Sequence, residues 1–151
     1  MINTNFFAPK WQDVAFSQAI SLGNFCHSAQ VLKDLGYRTF SGPFDWIFNN
    51  PRALTHILTD HFVTFLDQRE YIPVSPDDRV VREANFCHHR FYKEKFGVHY
   101  MFNHHSPNED SDYEHYLKAV QDFKDAFAVD KPILFLLVTN SALDLQIIKP
   151  I

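Results

Sequence analysis

The chain has few of the features that tie a protein to a membrane or to nucleic acid. Its 151 residues contain no apolar run near the roughly 18 residues that a membrane span requires. The 14 Lys and Arg residues form no basic run and the net charge is −4. This argues against nucleic acid and anionic membrane as partners, because phosphate binding depends on clustered positive side chains. The first ten residues do not read as an export signal, so we expect a cytoplasmic protein.

Cysteine is also scarce, which excludes a disulfide framework. The chain has two cysteines, Cys26 and Cys87. Because no export signal is recognised, we expect both to remain free thiols. What the chain does have is aromatic residues: 16 are Phe, within a hydrophobic fraction of 46%. A chain of this length and composition predicts one α+β domain over residues 1–151 with an aromatic core.

The order of predicted elements follows from periodicity and from helix-start and turn residues. Residues 1–14 form an arm, and residues 139–151 are short for a complete final element. Between them the pattern predicts a strand over 15–22, a helix over 26–35 ending at Gly36, and a helix opened by Asn50 and Pro51. After a loop over 67–84 come two strands within 86–102 turning near Gly97, a helix with a Ser111/Glu114 capping box, and a strand over 133–138 buried on both faces.

The most informative stretch is Ser21-Leu22-Gly23-Asn24-Phe25-Cys26. A strand that stops at a glycine delivers Cys26 to the first turn of a helix, where unpaired N–H groups and the helix dipole favour a thiolate. The thiolate is the nucleophilic form of cysteine. The stretch therefore predicts a nucleophile at Cys26, whereas the alternative is a small buried thiol without a chemical role.

A cysteine nucleophile needs a base and a group that orients it. Of nine histidines, we favour one of the pair His104 and His105, which ends a predicted strand just before a proline turn. Asp45 or Asn140 is the candidate orienting residue, although Asp45 can equally serve as a turn carboxylate. Backbone N–H groups around Cys26, with the Asn24 amide, are the candidate oxyanion donors.

Two other functions fit the same residues. The aromatic segment 40–48 suits a non-catalytic module that binds a carbohydrate or a peptide. The second alternative is a metal protein, because several Cys and His side chains lie close in sequence and are ligands that zinc accepts, although their spacing matches no closed finger. Those residues are Cys87, His88, His89, His99, His104 and His105. Without such a site we expect no metal and no cofactor.

The Cys26 stretch is followed by a second block, Phe40-Ser41-Gly42-Pro43-Phe44-Asp45-Trp46-Ile47. Together they resemble a bacterial family described as putative papain-like cysteine peptidases, formerly a domain of unknown function, with similarity over about residues 20–140. The resemblance implies a papain-like α+β fold in which the helix bearing the cysteine packs on a small, mostly antiparallel sheet. It also implies Cys26 as nucleophile and His104 as base of a peptidase, amidase or acyltransferase that acts on a peptide or small-molecule substrate.

Overall fold

The structure is a computed structural model that describes residues 15–138. This part of the chain mixes four α-helices with two small sheets of two strands each, in agreement with the predicted α+β class. No helix in residues 15–138 is long and apolar enough to cross a membrane. The predicted arm 1–14 and the final element 139–151 lie outside the described residues.

The first sheet joins the two ends of the described chain. Strand β1 (Gln18–Ser21) pairs in parallel with β4 (Ile133–Leu136), with Gln18 opposite Ile133. The helix that follows Cys26 packs against β1, so the prediction of a mostly antiparallel sheet beneath it is wrong for this strand pair. The prediction that β4 is buried on both faces is also wrong, because Leu134 and Phe135 are 38% and 40% exposed.

Helix α1 (His27–Asp34) follows Cys26 and ends as predicted at Gly36. Gly36 has a φ of 73°, its N–H donates to the carbonyl of Lys33, and the N–H of Tyr37 donates to the carbonyl of Leu32. This pair of bonds closes the helix in a Schellman motif, which uses the freedom of glycine at positive φ.

Helix α2 (Pro51–Thr59) begins where the sequence predicts it. The side chain of Asn50 accepts a hydrogen bond of 2.9 Å from the N–H of Ala53, and Pro51 occupies the first turn. Leu54 and Ile57 are buried, as the three-residue spacing predicts. The predicted 67–84 loop contains two short 3₁₀ helices (Gln68–Glu70 and Pro76–Asp78) and strand β2 (Tyr71–Pro73).

The prediction of two strands over 86–102 is half wrong. Strand β3 (Cys87–His89) pairs antiparallel with β2, but the chain then forms helix α3 (Arg90–Phe96) instead of a second strand. Tyr92 and Phe96, one helical turn apart, stack with ring centroids 6.0 Å apart. Aromatic residues at the neighbouring positions hid this four-residue spacing in the sequence. Gly97 ends the helix at positive φ, as expected of a turn residue.

Helix α4 (Asp110–Ala126) covers the core without the predicted capping box. It starts before Ser111, and its first turn has no side-chain cap hydrogen bond. Tyr116, Val120 and Phe123 are buried as predicted, but the prediction that Phe127 shares their buried face is wrong, because this C-cap residue is 55% exposed.

The core is one cluster of apolar and aromatic side chains drawn from helices α2, α3 and α4, from β1 and from the connections between elements. Phe102 lies near its centre and is fully buried. Isolated bridges join Phe102 to Ile47 on one side and to Cys87 on the other. The segment before His104 is therefore held between two other chain segments.

Candidate active site

Cys26 is presented by a tight turn between β1 and α1. Gly23 and Asn24 both have positive φ, 76° and 84°, which reverses the chain within two residues. The N–H of Asn24 donates to the side chain of Asn49, and the hydroxyl of Ser28 donates to the carbonyl of Gly23. These bonds hold the turn, and Cys26 itself occupies the N-cap position of α1.

Gly23 cannot be replaced in this turn without displacing its neighbours. A Cβ atom there would lie 2.9 Å from the backbone oxygen of Phe44 and 2.9 Å from the side-chain nitrogen of Asn49. Both distances are shorter than real Cβ contacts, so the absence of a side chain allows the 44–49 segment to approach the cysteine turn.

His104 reaches this turn from the far half of the sequence. The distance from Cys26 Sγ to His104 Nε2 is 3.2 Å, within hydrogen-bonding range for sulfur. Cys26 is partly exposed and His104 is exposed, so solvent and small molecules have access to the pair. The ring of Trp46 packs edge to face against the His104 imidazole, with centroids 5.9 Å apart.

The pKa values of the pair shift in opposite directions. Burial raises the pKa of the Cys26 thiol, although hydrogen bonds from its own backbone N–H and from the Asn103 side chain act to lower it. Burial lowers the pKa of the His104 imidazole, and the neighbouring His105 lowers it further. The thiolate expected from the helix N-terminus is therefore not favoured at rest, because desolvation outweighs the N–H groups. The shifts favour a neutral thiol beside a neutral imidazole.

His105 follows His104 in sequence but points elsewhere. Its Nδ1 lies 3.2 Å from Oδ1 of Asp112, and its ring contacts the ring of His115 with centroids 4.9 Å apart. Of the two candidate bases, His104 is the one at the sulfur.

Asp45 lies in a buried turn, where its carboxylate binds Arg38 and a backbone N–H of the same turn. Its carboxylate accepts hydrogen bonds from Arg38 Nε at 2.7 Å and from the N–H of Gly42 at 3.0 Å. Burial raises the pKa of Asp45, against the opposing effect of the Arg38 guanidinium. Within residues 15–138, no hydrogen bond joins Asp45 to His104. The other candidate, Asn140, lies outside the described residues.

The Cys and His residues considered as metal ligands do not converge. Cys87 donates its thiol proton to the carbonyl of His88 and accepts a hydrogen bond from Asn108, while His89 lies in the aromatic core. In the described part of the chain, no group of three or more His, Cys, Asp or Glu side chains is arranged to hold a metal ion.

Two residues at the site were not recognised from the sequence. Asn103 is buried directly before His104, where its side-chain oxygen accepts hydrogen bonds from Asn85, and Trp46 packs on the His104 imidazole. Both stand next to residues that the sequence did single out, His104 and Asp45. Their adjacency was the available signal, but nothing in the sequence says which neighbouring side chains lie at the site.

Comparison with known proteins identifies the family of the chain. Neither a curated protein nor a solved structure matches the chain. A family model described as "Putative papain-like cysteine peptidase (DUF1796)" matches residues 17–147. This range includes the cysteine turn, the 40–48 segment and His104, and it covers most of the chain. The chain therefore belongs to this family.

Proposed function

We propose that the protein is a cysteine hydrolase, acting as a peptidase or amidase, or an acyltransferase, with Cys26 as nucleophile and His104 as general base. The observation that carries this proposal is the 3.2 Å distance between Cys26 Sγ and His104 Nε2. It matches what a nucleophile and its proton acceptor need before attack. Membership in a family named for cysteine peptidases supports the same chemistry.

In the proposed reaction the Cys26 sulfur attacks the carbonyl carbon of an amide or ester. The S–C bond forms, the carbonyl electron pair moves to oxygen, and the thiol proton passes to His104 Nε2. When the tetrahedral intermediate collapses, the bond to the leaving group breaks and His104 returns the proton to that group. Water then hydrolyses the thioester, or an amine or alcohol acceptor takes the acyl group.

The pKa shifts favour general-base catalysis over a preformed ion pair. A raised thiol pKa and a lowered imidazole pKa leave both groups neutral near pH 7. Proton transfer then accompanies the attack, as it does for a serine nucleophile, and the role of His104 is essential at neutral pH.

For Asp45 we propose a positioning role exerted through its neighbours. Asp45 binds Arg38, the Arg38 guanidinium lies 5.7 Å from the centre of the Trp46 ring, and Trp46 packs against His104. The chain of contacts links the buried carboxylate to the imidazole without touching the reacting atoms. Asp45 would thus help to fix the ring of the base.

Aromatic side chains beside the cysteine suit an apolar or planar acyl group. Phe25 precedes the nucleophile, and its ring lies 5.6 Å from that of Phe48. Both rings are partly exposed, as is Trp46 on the His104 side. Such surfaces bind apolar groups and peptide planes by dispersion and by release of water.

The test uses p-nitrophenyl acetate as an activated acyl donor. The wild type should release a burst of p-nitrophenolate equal to the protein concentration, and peptide mass mapping should place the acetyl group on Cys26. Cys26→Ala should abolish the burst, and His104→Ala should slow it by roughly 10²- to 10⁴-fold.

His105→Ala is the matched control, because that imidazole is the sequence neighbour of the base but contacts Asp112. At pH 8, where the His104 imidazole is neutral with or without His105, this variant should acylate at the wild-type rate. Acetylation of Cys87 in place of Cys26, or a burst that ignores His104→Ala, would refute the proposal. Adding an amine acceptor then separates the two reaction types, since only an acyltransferase yields the acetylated amine in preference to acetate.

A further inference from the structure

The cysteine turn is bonded on both sides to one side chain from a distant part of the chain, Asn49. Its Oδ1 accepts a hydrogen bond of 3.0 Å from the N–H of Asn24, and its Nδ2 donates one of 3.3 Å to the carbonyl of Leu22. The two bonds bracket Gly23, whose φ of 76° reverses the chain. A single amide thus supplies both the acceptor and the donor that the turn needs before it reaches Cys26.

The amide is packed directly on the turn and shielded from water. Asn49 is 7% exposed and Asn24 is 4% exposed, so water competes little for the bond between them. A Cβ atom at Gly23 would lie 2.9 Å from Nδ2 of Asn49, which shows how closely the two residues approach. A buried backbone group that loses its partner is destabilised, because no solvent molecule replaces the bond. The conformation of the turn therefore depends on this amide.

The backbone that precedes the same amide is joined to the segment that carries the proposed base. The N–H of Phe48 donates to the carbonyl of Met101 at 2.8 Å, and Ile47 forms an antiparallel bridge with Phe102. The base follows Phe102 by two residues. Segment 47–49 thus contacts the histidine segment through its backbone and the cysteine turn through its last side chain.

We propose that Asn49 is a positioning residue that holds the Cys26 sulfur at the His104 imidazole. The inference rests on the function proposed above. The two reacting residues are 78 positions apart in sequence, so the 3.2 Å between Sγ and Nε2 depends on contacts between their segments. Asn49 provides such a contact at the point where the chain reverses toward the nucleophile, and it acts through the backbone of the turn.

The proposed mechanism makes this alignment decisive. Both groups of the pair are neutral near pH 7, so the thiol proton passes to His104 as the sulfur attacks. Such a transfer requires the two groups to be within hydrogen-bond reach. A turn that relaxes carries the sulfur away from the imidazole but leaves an ionised thiol free to react with reagents that need no base. Loss of Asn49 should therefore remove the assistance of His104 and preserve the reactivity of the thiolate.

A double-mutant cycle with His104 measures this effect. Asn49→Ala alone should slow the acylation of Cys26 by p-nitrophenyl acetate by roughly 10- to 100-fold, since misplacing a reacting group by about 1 Å can cost about 100-fold. In the His104→Ala background the same substitution should change the rate by no more than about 2-fold, because the imidazole that it aligns is gone. Iodoacetamide alkylation of the fully ionised thiol, taken from the high-pH limit, should keep its wild-type rate.

The neighbouring residue, Asn50, provides the matched control. Its side chain also bridges two backbone groups, because it accepts from the N–H of Ala53 at 2.9 Å and donates to the carbonyl of Phe96 at 2.9 Å. Asn50→Ala should lower the free energy of unfolding, measured in urea, but should leave the acylation rate of Cys26 within about 2-fold of the wild type. A merely structural loss thus has its own signature.

The assignment of Asn49 is overturned by unchanged acylation in Asn49→Ala, by equal losses in the two His104 backgrounds, or by an equal loss in Asn50→Ala. Failure of the proposed function looks different: the wild type itself would not acylate at Cys26, or His104→Ala would acylate normally. Should Asn49→Ala not fold, Asn49→Asp gives the decision. This variant has nearly the same shape and keeps the acceptor for the Asn24 N–H, but it lacks the donor for the Leu22 carbonyl. A loss of acylation that depends on His104 supports the proposal, and an equal loss in both backgrounds or no loss refutes it.

Discussion

The indole of Trp46 meets the imidazole of His104 edge to face, with ring planes at 83° and centroids 5.9 Å apart. Edge-to-face ring pairs are worth about 0.5–1.5 kcal/mol beyond the area they bury. The contact restrains the ring whose nitrogen lies at the Cys26 sulfur. Trp46 is thus placed to position the proposed base.

Removing this contact should slow acylation without affecting the thiol. For Trp46→Ala we expect a fall of roughly 2- to 10-fold in the rate of acylation by p-nitrophenyl acetate, from the energy of the ring pair. The rate at which iodoacetamide alkylates the ionised Cys26 thiol should not change, and Trp46→Phe should recover part of the lost acylation rate. Tyr37→Ala, which removes an exposed ring, is the control. A loss of alkylation equal to the loss of acylation would contradict a positioning role.

The proposed link from Asp45 to the base can be tested with a double-mutant cycle. Asp45→Asn removes the charge that holds Arg38, so it should slow acylation through the displacement of Trp46. The second substitution of the cycle is Trp46→Ala. If Asp45 acts through Trp46, the double variant should acylate no more slowly than the slower of the two single variants, because both changes break the same chain of contacts. Rate losses that multiply would show that Asp45 acts by another route.

The pH dependence of the pair follows from the direction of its pKa shifts. The imidazole pKa is lowered from 6.5, so His104 stays neutral further into acid, and the acid limb of acylation should have its midpoint below pH 6.5. The thiol pKa is raised from 9.0, so iodoacetamide alkylation in His104→Ala should keep rising above pH 9. Stopped-flow rates between pH 5 and pH 11 would measure both limbs. An alkylation midpoint well below pH 9 would contradict the neutral pair.

Two glycines with nearly the same φ provide a matched test of the cysteine turn. Gly23 and Gly36 have φ of 76° and 73°, but a Cβ at Gly23 meets backbone at 2.9 Å and one at Gly36 meets nothing within 4 Å. Gly36→Ala should therefore lower the free energy of unfolding by only the backbone strain, about 1 kcal/mol. Gly23→Ala should lower the free energy of unfolding by more than Gly36→Ala does, and it should also slow the acylation and alkylation of Cys26. Urea unfolding and alkylation rates measure the two effects, and equal unfolding costs would argue against close packing at Gly23.

His89 makes the stability of the fold sensitive to acid. It is fully buried, its Nε2 lies 3.0 Å from the carbonyl of Thr64, and within the described structure its buried Nδ1 has no hydrogen-bond partner. Since a carbonyl only accepts, Nε2 carries the proton, and a second proton would place a charge in the aromatic core. Burial accordingly lowers the pKa of His89 to about 4.

The sign of the effect follows from which state takes up the proton. Below pH 6.5 the unfolded chain protonates His89 and the folded chain does not, so stability falls between about pH 6.5 and pH 4, by about 3 kcal/mol in total. His89→Gln keeps a donor for the Thr64 carbonyl and removes the titration. Urea unfolding at pH 7 and pH 4 should show a smaller pH-dependent loss in this variant. The same loss in both proteins would contradict the assignment.

Local signals in the sequence were sufficient for several elements. Asn50 and Pro51 start α2, Gly36 ends α1, and the apolar run from Ile133 forms β4 because each depends on residues close in sequence. The error over 86–102 has a local cause as well. Aromatic residues at consecutive positions fit both the two-residue alternation of a strand and the spacing of a helical turn. Packing around Tyr92 in the core selected the helix.

The sequence by itself determined that a strand ending at a glycine delivers a cysteine to the start of a helix, since chain geometry over a few residues dictates that arrangement. Only the tertiary structure decided which of nine histidines reaches the sulfur and that Asp45 binds Arg38. Contacts between residues 26 and 104 depend on how the 101–104 segment is held between Ile47 and Cys87. The thiol pKa was likewise decided by tertiary burial, because desolvation at Cys26 exceeds the stabilisation that the helix start provides.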